Sequence, residues 1–189
     1  MEARTVKKTD PFMIISKYYD PCSTSHMILV EHGRAVAKKA LDIAQRLAHL
    51  NPDMEFIEEA ALLHDIGIFM TSAPEIGCYG DEDYICHGFL GWELLEKEGL
   101  PVHALVCERH VGVGLSVLDV DSLFPMLPRR DMQPVSIEEK IICYADKFFS
   151  KRLDALHIEN PLEAVRLVIK RYGAEKLEIF DEMNRLFNK

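Results

Sequence analysis

Six histidine and aspartate residues interrupt apolar patterns along this chain and could bind metal ions. In "AALLHDIGIF", residues 60–69, an apolar run is broken by a histidine and an aspartate. Burying two adjacent ionisable groups is costly unless something binds them. A divalent metal held by imidazole and carboxylate groups compensates several such residues at once. The candidate ligands are His32, His64, Asp65, His87, His110 and Asp146.

Each of these residues also has an interpretation that needs no metal. A single histidine on an apolar stripe, such as His32, is more often a hydrogen-bonded core residue than a ligand. His87 could cap a helix, Asp65 could cap a helix end or a turn, and Asp146 could face a lysine. These interpretations weaken together, because four inward histidines and two inward carboxylates in one small core need mutual compensation. Imidazole and carboxylate donors without thiolate suit Fe, Mn, Co, Ni or Zn.

Helical periodicity predicts the elements that position these residues, and no convincing alternating strand is present. In "SHMILVEHGRAVAKKALDIAQRLAHL", one helical stripe with spacings of three or four residues contains His32, Val36, Ala40, Ile43 and Leu47. The next predicted helix, "NPDMEFIEEAALLHDIG", has Asn51 as its N-cap, Pro52 at its first position and Gly67 as its stop. Further helices are predicted in "YICHGFLGWELLEKEGLP" and "VHALVCERH".

Two segments interrupt the helices. Residues 71–83 carry Pro, Gly and acidic residues and are predicted to form a loop. Residues 112–134 form a long irregular connection, and loops of that length are usually functional or mobile. The helix that follows, in "SIEEKIICYADKFFSKRL", opens with a predicted capping box of Ser136 and Glu139.

The C-terminal part of the chain is also helical. A helix is predicted to start at Asn160–Pro161, Gly173 interrupts it, and "AEKLEIFDEMNRLF" ends the chain. The sequence therefore predicts a single all-α domain over residues 1–189. Its motif-bearing core covers about residues 25–155, and helices over 161–188 pack on that core or on a partner, which leaves a homodimer open.

Composition narrows the classes of function. The chain has 189 residues, 48% of them hydrophobic and 28% charged, as in a soluble globular protein. No apolar run approaches the roughly 20 residues that span a membrane, and "MEARTVKKTDPF" lacks the apolar core of a signal peptide. Five scattered cysteines predict reduced thiols in a cytoplasmic protein. A net charge of −9 without a long basic run argues against a nucleic-acid polymer as partner.

An early histidine, the doublet in "HDIG" and a late aspartate in "YADKFF" resemble the HD-domain superfamily of metal-dependent phosphohydrolases. The resemblance covers roughly residues 25–155, including the flanking "EHGRAVAKKALDIA" and "EEKIICYADK". It implies a helical HD fold and a first metal bound by His32, His64, Asp65 and Asp146. His87 and His110 match the extra histidines of the two-metal subgroup, in which Asp65 would bridge the two ions.

The resemblance implies hydrolysis of a phosphate ester or anhydride of a small molecule, with nucleotides as the leading class, by a hydroxide that the metals activate. His64 and Asp65 would be the catalytic residues. The chain is similar to small stand-alone HDIG-type proteins and to bacterial HD enzymes that cleave dinucleoside tetraphosphates. A phosphomonoesterase, a nucleotidase and a dinucleoside polyphosphate hydrolase therefore all remain open. The candidate phosphate-binding cations are Arg109, Arg129, Arg130 and Lys147.

Two other classes of function share this ligand set. Some HD-fold proteins are di-iron oxygenases that attack C–H or C–P bonds, and the ligands alone do not exclude that chemistry. A non-catalytic nucleotide-binding sensor would tolerate the loss of a ligand, whereas no expected ligand is missing here. The cyclic-di-GMP phosphodiesterase branch is disfavoured, because Ile68 follows "HDIG" where that branch usually has Lys, and its Gly-Tyr-Pro signature is absent after His110.

Overall fold

The computed structural model describes residues 8–188, and helices account for its architecture. The prediction of an all-α fold is confirmed. Residues 1–7 and 189 lie outside the described residues. The predicted domain includes them, and part of the signal-peptide prediction rested on residues 1–7. The α-helices are α1 (Pro11–Ile15), α2 (Thr24–Arg46), α3 (Met54–Leu63), α4 (His87–Lys97), α5 (Pro101–Arg109), α6 (Val117–Leu123), α7 (Ile137–Asp146), α8 (Leu162–Lys170) and α9 (Ala174–Phe187).

Short elements fill some of the connections. Single 3-10 turns cover Ala48–Leu50, Ile66–Met70, Pro74–Ile76 and Tyr84–Cys86. Residues 71–83, predicted as a loop, also contain a small antiparallel hairpin of β1 (Ser72–Ala73) and β2 (Cys78–Tyr79), in which Ser72 pairs with Tyr79. Within residues 8–188, no helix is both long enough and apolar enough to cross a membrane.

The long helix α2 is the centre of the fold. The Ser23 side chain caps its N-terminus by accepting a hydrogen bond from the His26 amide. One face of α2 is buried from Ile28 to Ala44 and packs mainly against α3 and α7. The predicted stripe is therefore confirmed, and it places His32 inside the core rather than at the surface.

The start of α3 differs from the prediction. Asp53, not Asn51, is the N-cap, and its carboxylate accepts a hydrogen bond from the Phe56 amide. Asn51 instead adopts a left-handed conformation with φ of 51° and ends the preceding 3-10 turn. Pro52 therefore precedes the helix. Asn tolerates the left-handed region better than most residues, so Asn51 ends one element and Asp53 starts the next.

The end of α3 also differs from the prediction, and the difference shapes the site. The α-helix stops at Leu63, His64 is its C-cap, and the chain tightens into the 3-10 turn that contains Gly67. A Cβ at Gly67 would lie 2.2 Å from the His87 carbonyl oxygen and 2.5 Å from the Gly91 amide nitrogen. Gly67 is therefore needed for the close approach of α4, which brings His87 beside the doublet.

The connection over residues 112–134 is less irregular than predicted, because it contains α6. The capping box of this region is formed by Ser116 and Asp119 at the start of α6. At α7, the Ser136 hydroxyl accepts a hydrogen bond from the Glu139 amide as predicted. The Glu139 carboxylate, however, does not return a bond to the Ser136 amide, so the capping box is incomplete. It accepts hydrogen bonds from the Val135 amide and from an arginine side chain instead.

Two hydrophobic clusters flank the region where the ligands meet. One lies among α2, α3, α7 and α9, and the other among α1, α2, α4 and α5. The C-terminal segment breaks at Gly173, with φ of 126°, as predicted. In α9, Phe180 and Phe187 pack on Tyr144 of α7, with ring centroids 5.1 and 5.2 Å apart.

Candidate metal centre

The six predicted ligands meet in one buried cluster. Their side chains come from the middle or the ends of different elements, and all of them are buried. His32 lies within α2, His64 and Asp65 directly follow α3, and His87 is the first residue of α4. His110 follows α5, and Asp146 is the last residue of α7. The close packing of these elements, rather than one local motif, brings the six together.

The ligands form two groups that share Asp65. The first contains His32, His64, Asp65 and Asp146, and the second contains Asp65, His87 and His110. Within each group the potential ligand atoms all lie within 4.8 Å of one another. Both groups could therefore hold a metal ion.

The two carboxylate oxygens of Asp65 face different groups. Its Oδ2 lies 3.3 Å from His32 Nε2 and 3.0 Å from His64 Nε2. Its Oδ1 lies 3.4 Å from His87 Nε2 and 3.3 Å from His110 Nε2. This division of the two oxygens is the arrangement that a bridging carboxylate requires.

Three of the histidines are oriented by their own backbone. In each, Nδ1 donates a hydrogen bond to the carbonyl oxygen three residues earlier, which leaves Nε2 as the lone-pair atom. The bonds run from His64 to Ala61 (2.6 Å), from His87 to Tyr84 (2.6 Å) and from His110 to Cys107 (2.7 Å). All three Nε2 atoms point into the cluster.

Several buried polar atoms in the cluster fit a cation. His64 Nε2 and both oxygens of Asp65 have no well-aligned hydrogen-bond donor. The Nε2 atoms of His87 and His110 lie 3.1 Å apart, although each ring already carries its proton on Nδ1. Two lone pairs that face each other repel, and a positive ion between the ligands would relieve this repulsion. The donor set therefore fits divalent metal ions.

Burial and charge set the protonation states of the cluster. Burial opposes ionisation of Asp65, but His64 and Lys151 hold the pKa of its carboxyl well below the usual range. Burial lowers the pKa of His87 to about 3 and also lowers that of His110. Burial acts against protonation of His64 as well, but Asp65 raises the pKa of this imidazole to about 9. His87, His110 and Asp65 are therefore in the neutral and ionised forms that bind metals, whereas a metal ion would displace the proton that His64 carries at neutral pH.

Lys151 is the residue at this site that sequence reasoning missed. Its Nζ lies 2.8 Å from Asp65 Oδ2, and its side chain is largely buried. Burial lowers its pKa, but the Asp65 charge more than offsets this and raises the pKa well above the usual value. The only sequence signal was that Lys151 lies five residues after Asp146. That signal is misleading, because a helix that continued past Asp146 would have carried Lys151 away from the ligands. The helix instead ends at Asp146, and the chain turns back to the site.

The predicted phosphate-binding cations lie in different environments. Lys147 lies at the site, with Nζ 2.6 Å from Asp146 Oδ2 and 3.0 Å from the His110 carbonyl oxygen. Arg109 instead pairs with the buried Glu139, through an Nη1–Oε2 distance of 2.9 Å. The structure therefore brings Lys147 to the cluster and turns Arg109 toward a structural carboxylate.

The two arginines of the long connection are also paired. Arg129 is exposed and pairs with Asp121 at 2.9 Å. Arg130 pairs with Glu108, and its guanidinium lies 4.2 Å from the centroid of the Trp92 ring. None of Arg109, Arg129 and Arg130 is among the described residues that line the cavity beside the ligands. Their role in phosphate binding stays a prediction that this geometry does not favour.

A cavity of about 360 Å³ opens directly beside the ligand cluster. Two sets of its lining residues differ in chemistry. The polar floor, as we name it here, consists of His87, His110, Asp146, Lys147 and Lys151. The apolar wall consists of Val113, Leu115, Leu123, Phe124, Val168 and Tyr172. The cavity thus places a space for an organic group next to residues that could bind metal and phosphate.

Comparison with known proteins gives relatives with and without a named activity. An uncharacterized protein, MJ0778, of Methanocaldococcus jannaschii is 34% identical over 131 residues, which cover 67% of this chain and 70% of that protein. Two proteins named tRNA (cytidine(56)-2'-O)-methyltransferase are 30% identical over 128 residues in Thermoplasma volcanium and 32% identical over 125 residues in Picrophilus torridus. These alignments cover 66% and 65% of this chain but span only about a third of the methyltransferases, 33% and 32%.

The family assignment rests on a longer match. No solved structure was found to match this chain. The sequence profile of the HD domain, however, matches residues 29–150, well over half of the chain. That range contains all six residues of the two ligand groups. The chain therefore belongs to the HD-domain family.

Proposed function

We propose that this protein is a metal-dependent phosphohydrolase that cleaves a phosphate ester or anhydride of a small molecule. One observation carries the proposal: two buried ligand groups that share Asp65 border a cavity with Lys147 and Lys151 on its floor. Metal ions held by these ligands, together with the two ammonium groups, would suit a substrate with a phosphoryl group, because both kinds of positive charge attract its oxygens. Membership of the HD-domain family supports the same reaction class.

In this proposal, two divalent ions, one in each group, are held by six residues: His32, His64, Asp65 and Asp146 for the first, and Asp65, His87 and His110 for the second. When bound, such ions supply Lewis-acid charge that polarises phosphoryl oxygens and lowers the pKa of water. Asp65 directs one carboxylate oxygen toward each ligand group and would bind both ions. The set includes imidazoles and carboxylates only, so Fe, Mn, Co, Ni and Zn are the candidate metals.

The two lysines of the floor are placed to bind the phosphoryl group. Each forms an ion pair with a carboxylate of the ligand set, Lys147 with Asp146 at 2.6 Å and Lys151 with Asp65 at 2.8 Å. An ammonium group has three N–H donors, so each lysine keeps donors for a substrate oxygen. Their carboxylate partners fix the position of both charges before a substrate binds, which reduces the cost of organising the site.

Nucleotides are the first substrate class to test. The two relatives named as tRNA (cytidine(56)-2'-O)-methyltransferases have names that refer to nucleotide chemistry. This similarity is a reason to begin the substrate panel with nucleotides. We do not propose methyl transfer, because this chain spans only about a third of those proteins and its ligand groups suit metal ions.

Metal analysis followed by activity assays tests the proposal. The protein is purified without a polyhistidine tag, its metals are measured, and phosphate release is assayed with and without oxygen. The panel contains nucleoside monophosphates, dinucleoside polyphosphates and sugar phosphates. We expect two metals per chain and phosphate release that does not depend on oxygen. Two irons with oxygen uptake and no phosphate release would establish an oxygenase instead, and nucleotide binding without turnover would establish a sensor.

A further inference from the structure

The cavity beside the ligands has one polar side and one apolar side. Starting from the proposed phosphohydrolase function, we infer that the substrate is a monoester with one phosphoryl group on the polar floor and a compact apolar organic group against the apolar wall. The organic group is an aromatic ring or a short aliphatic chain, since both have the surface that such a wall buries. A polyphosphate that bridges two nucleosides does not fit this description.

The distribution of charge supports a single phosphoryl group. Away from the floor, the lining includes one further cation among the described residues, Lys176. Its Nζ lies 2.5 Å from Asp119 Oδ2 and 3.1 Å from the Gly114 carbonyl oxygen. Lys176 is a single cation paired with Asp119, whereas the floor has two lysines beside the proposed metal ions, so most of the positive charge that a ligand could meet lies at the floor. A chain of several phosphates would place anionic groups against apolar residues, which is unfavourable.

The volume supports an organic group of limited size. At about 360 Å³, the cavity lies near the lower end of the range of about 300–1,000 Å³ that is typical of small-molecule sites. A space of this size suits a phosphoryl group with one ring or a short chain better than two nucleosides joined by phosphates.

The wall also exposes apolar side chains that a ligand would cover. Val168 of α8 is 48% exposed, and Tyr172, four residues later, is 68% exposed. Leu123, at the end of α6, is 61% exposed. These residues come from separate elements, yet all line the same cavity. Covering them with an apolar group removes their surface from water, which favours such a ligand over a polar one.

Binding of phosphonates, which the enzyme cannot hydrolyse, tests this inference separately from catalysis. Isothermal titration calorimetry compares benzylphosphonate, hexylphosphonate and 2-hydroxyethylphosphonate on the metal-loaded protein. We expect the better of the two apolar ligands to bind about tenfold or more tightly than the hydroxyethyl compound, a difference of about 1.4 kcal/mol. Tighter binding of benzylphosphonate than of hexylphosphonate indicates an aromatic group, and the reverse order of affinity indicates an aliphatic chain.

Matched variants locate the source of this preference. Leu123→Ser and Val168→Ser should each reduce the preference for the apolar ligand by about threefold or more, because each removes apolar surface from the wall. Leu118→Ser and Leu167→Ser are the controls, since both residues are exposed on the same two helices but do not line the cavity. The controls should keep the wild-type preference. Serine also leaves these partly exposed helical positions compatible with folding.

The outcomes separate this inference from the proposed function. Equal binding of apolar and polar phosphonates, unchanged by the wall variants, overturns the inference even if phosphate is released from other substrates. Faster turnover of a dinucleoside polyphosphate than of any monoester also overturns it. A clear apolar preference without hydrolysis of any ester supports the ligand class while contradicting the phosphohydrolase proposal.

Discussion

The polar floor and the apolar wall are two sides of one cavity, built in different ways. Apart from Lys151, the floor residues lie at or next to the ends of packed helices, and His87 and His110 are each held by a hydrogen bond to the carbonyl oxygen three residues earlier. Wall residues come from α6, from α8 and from the connections beside them, and several are partly exposed. The floor is therefore fixed by buried bonds, whereas the wall depends on surface contacts.

This difference suggests a division of labour between reaction and selectivity. Side chains that hold charged atoms need fixed geometry, because small displacements of a reacting group are costly. Side chains that contact an organic group need only shape and apolar surface, and such surfaces change readily among related proteins. We therefore expect floor variants to affect all substrates equally and wall variants to change the preference among substrates.

Replacement of Asp65 is expected to give the largest effect. Asp65→Ala removes the one residue that belongs to both ligand groups. Both metals should be lost, and activity should fall about 1,000-fold or more, because metal charge is worth several kcal/mol in such reactions. Elemental analysis and phosphate release measure the two effects. Asp65→Asn, which keeps the side-chain shape and an acceptor oxygen, is the control for the cavity that the alanine variant leaves. Full metal content in either variant would contradict the bridging role.

Replacement of one histidine should separate the two groups. His87→Ala removes a ligand of the second group only, so we expect the metal content to fall from two ions toward one. His32→Ala should likewise affect the first group. Activity should fall about 100-fold in each, less than for Asp65→Ala, because one ion remains. If His87→Ala loses both ions or neither, as measured by elemental analysis on folded protein, the two groups are not separate sites.

The set of six metal-ligand candidates was largely predictable from the sequence. His32, the doublet at 64–65 and Asp146 stand out because each breaks an apolar stripe whose helical spacing is clear. The six candidate ligands were therefore expected to meet, and the structure brings them together. Their roles as metal ligands still depend on the experiments above.

Lys151 and the wall were not predictable in the same way. Lys151 lies after the end of α7, so its position depends on how the chain turns rather than on helical spacing. Helix α6 lies within a segment that reads as irregular, because its seven residues are too few for a clear periodic signal. The four predicted phosphate-binding cations show the same limit, because only Lys147 lines the cavity. The position of a charged residue in the sequence does not reveal which carboxylate its side chain will pair with.

Replacement of Lys151 tests whether the floor binds phosphate. Lys151→Met removes a charged donor but no metal ligand, so the metal content should stay near that of the wild type. We expect kcat/KM to fall about 10- to 100-fold, in keeping with the loss of one hydrogen bond to a charged group. Lys151→Arg should restore part of this loss, while Lys170→Met at an exposed position of α8 should change neither quantity. Unchanged kinetics in Lys151→Met would remove this lysine from the site.

The smallest effect on activity is expected for Arg109, which extends the comparison beyond the cavity. Because Arg109 pairs with Glu139 rather than lining the floor, Arg109→Gln should lower stability by about 1–3 kcal/mol and leave KM and kcat nearly unchanged. Urea unfolding and steady-state kinetics measure these quantities. Arg129→Gln is the matched control, since its pair with Asp121 is exposed and such pairs contribute about 0–1 kcal/mol. A large rise in KM without a loss of stability in Arg109→Gln would instead indicate that this arginine contacts the substrate. Arg109 would then belong with the residues of the polar floor.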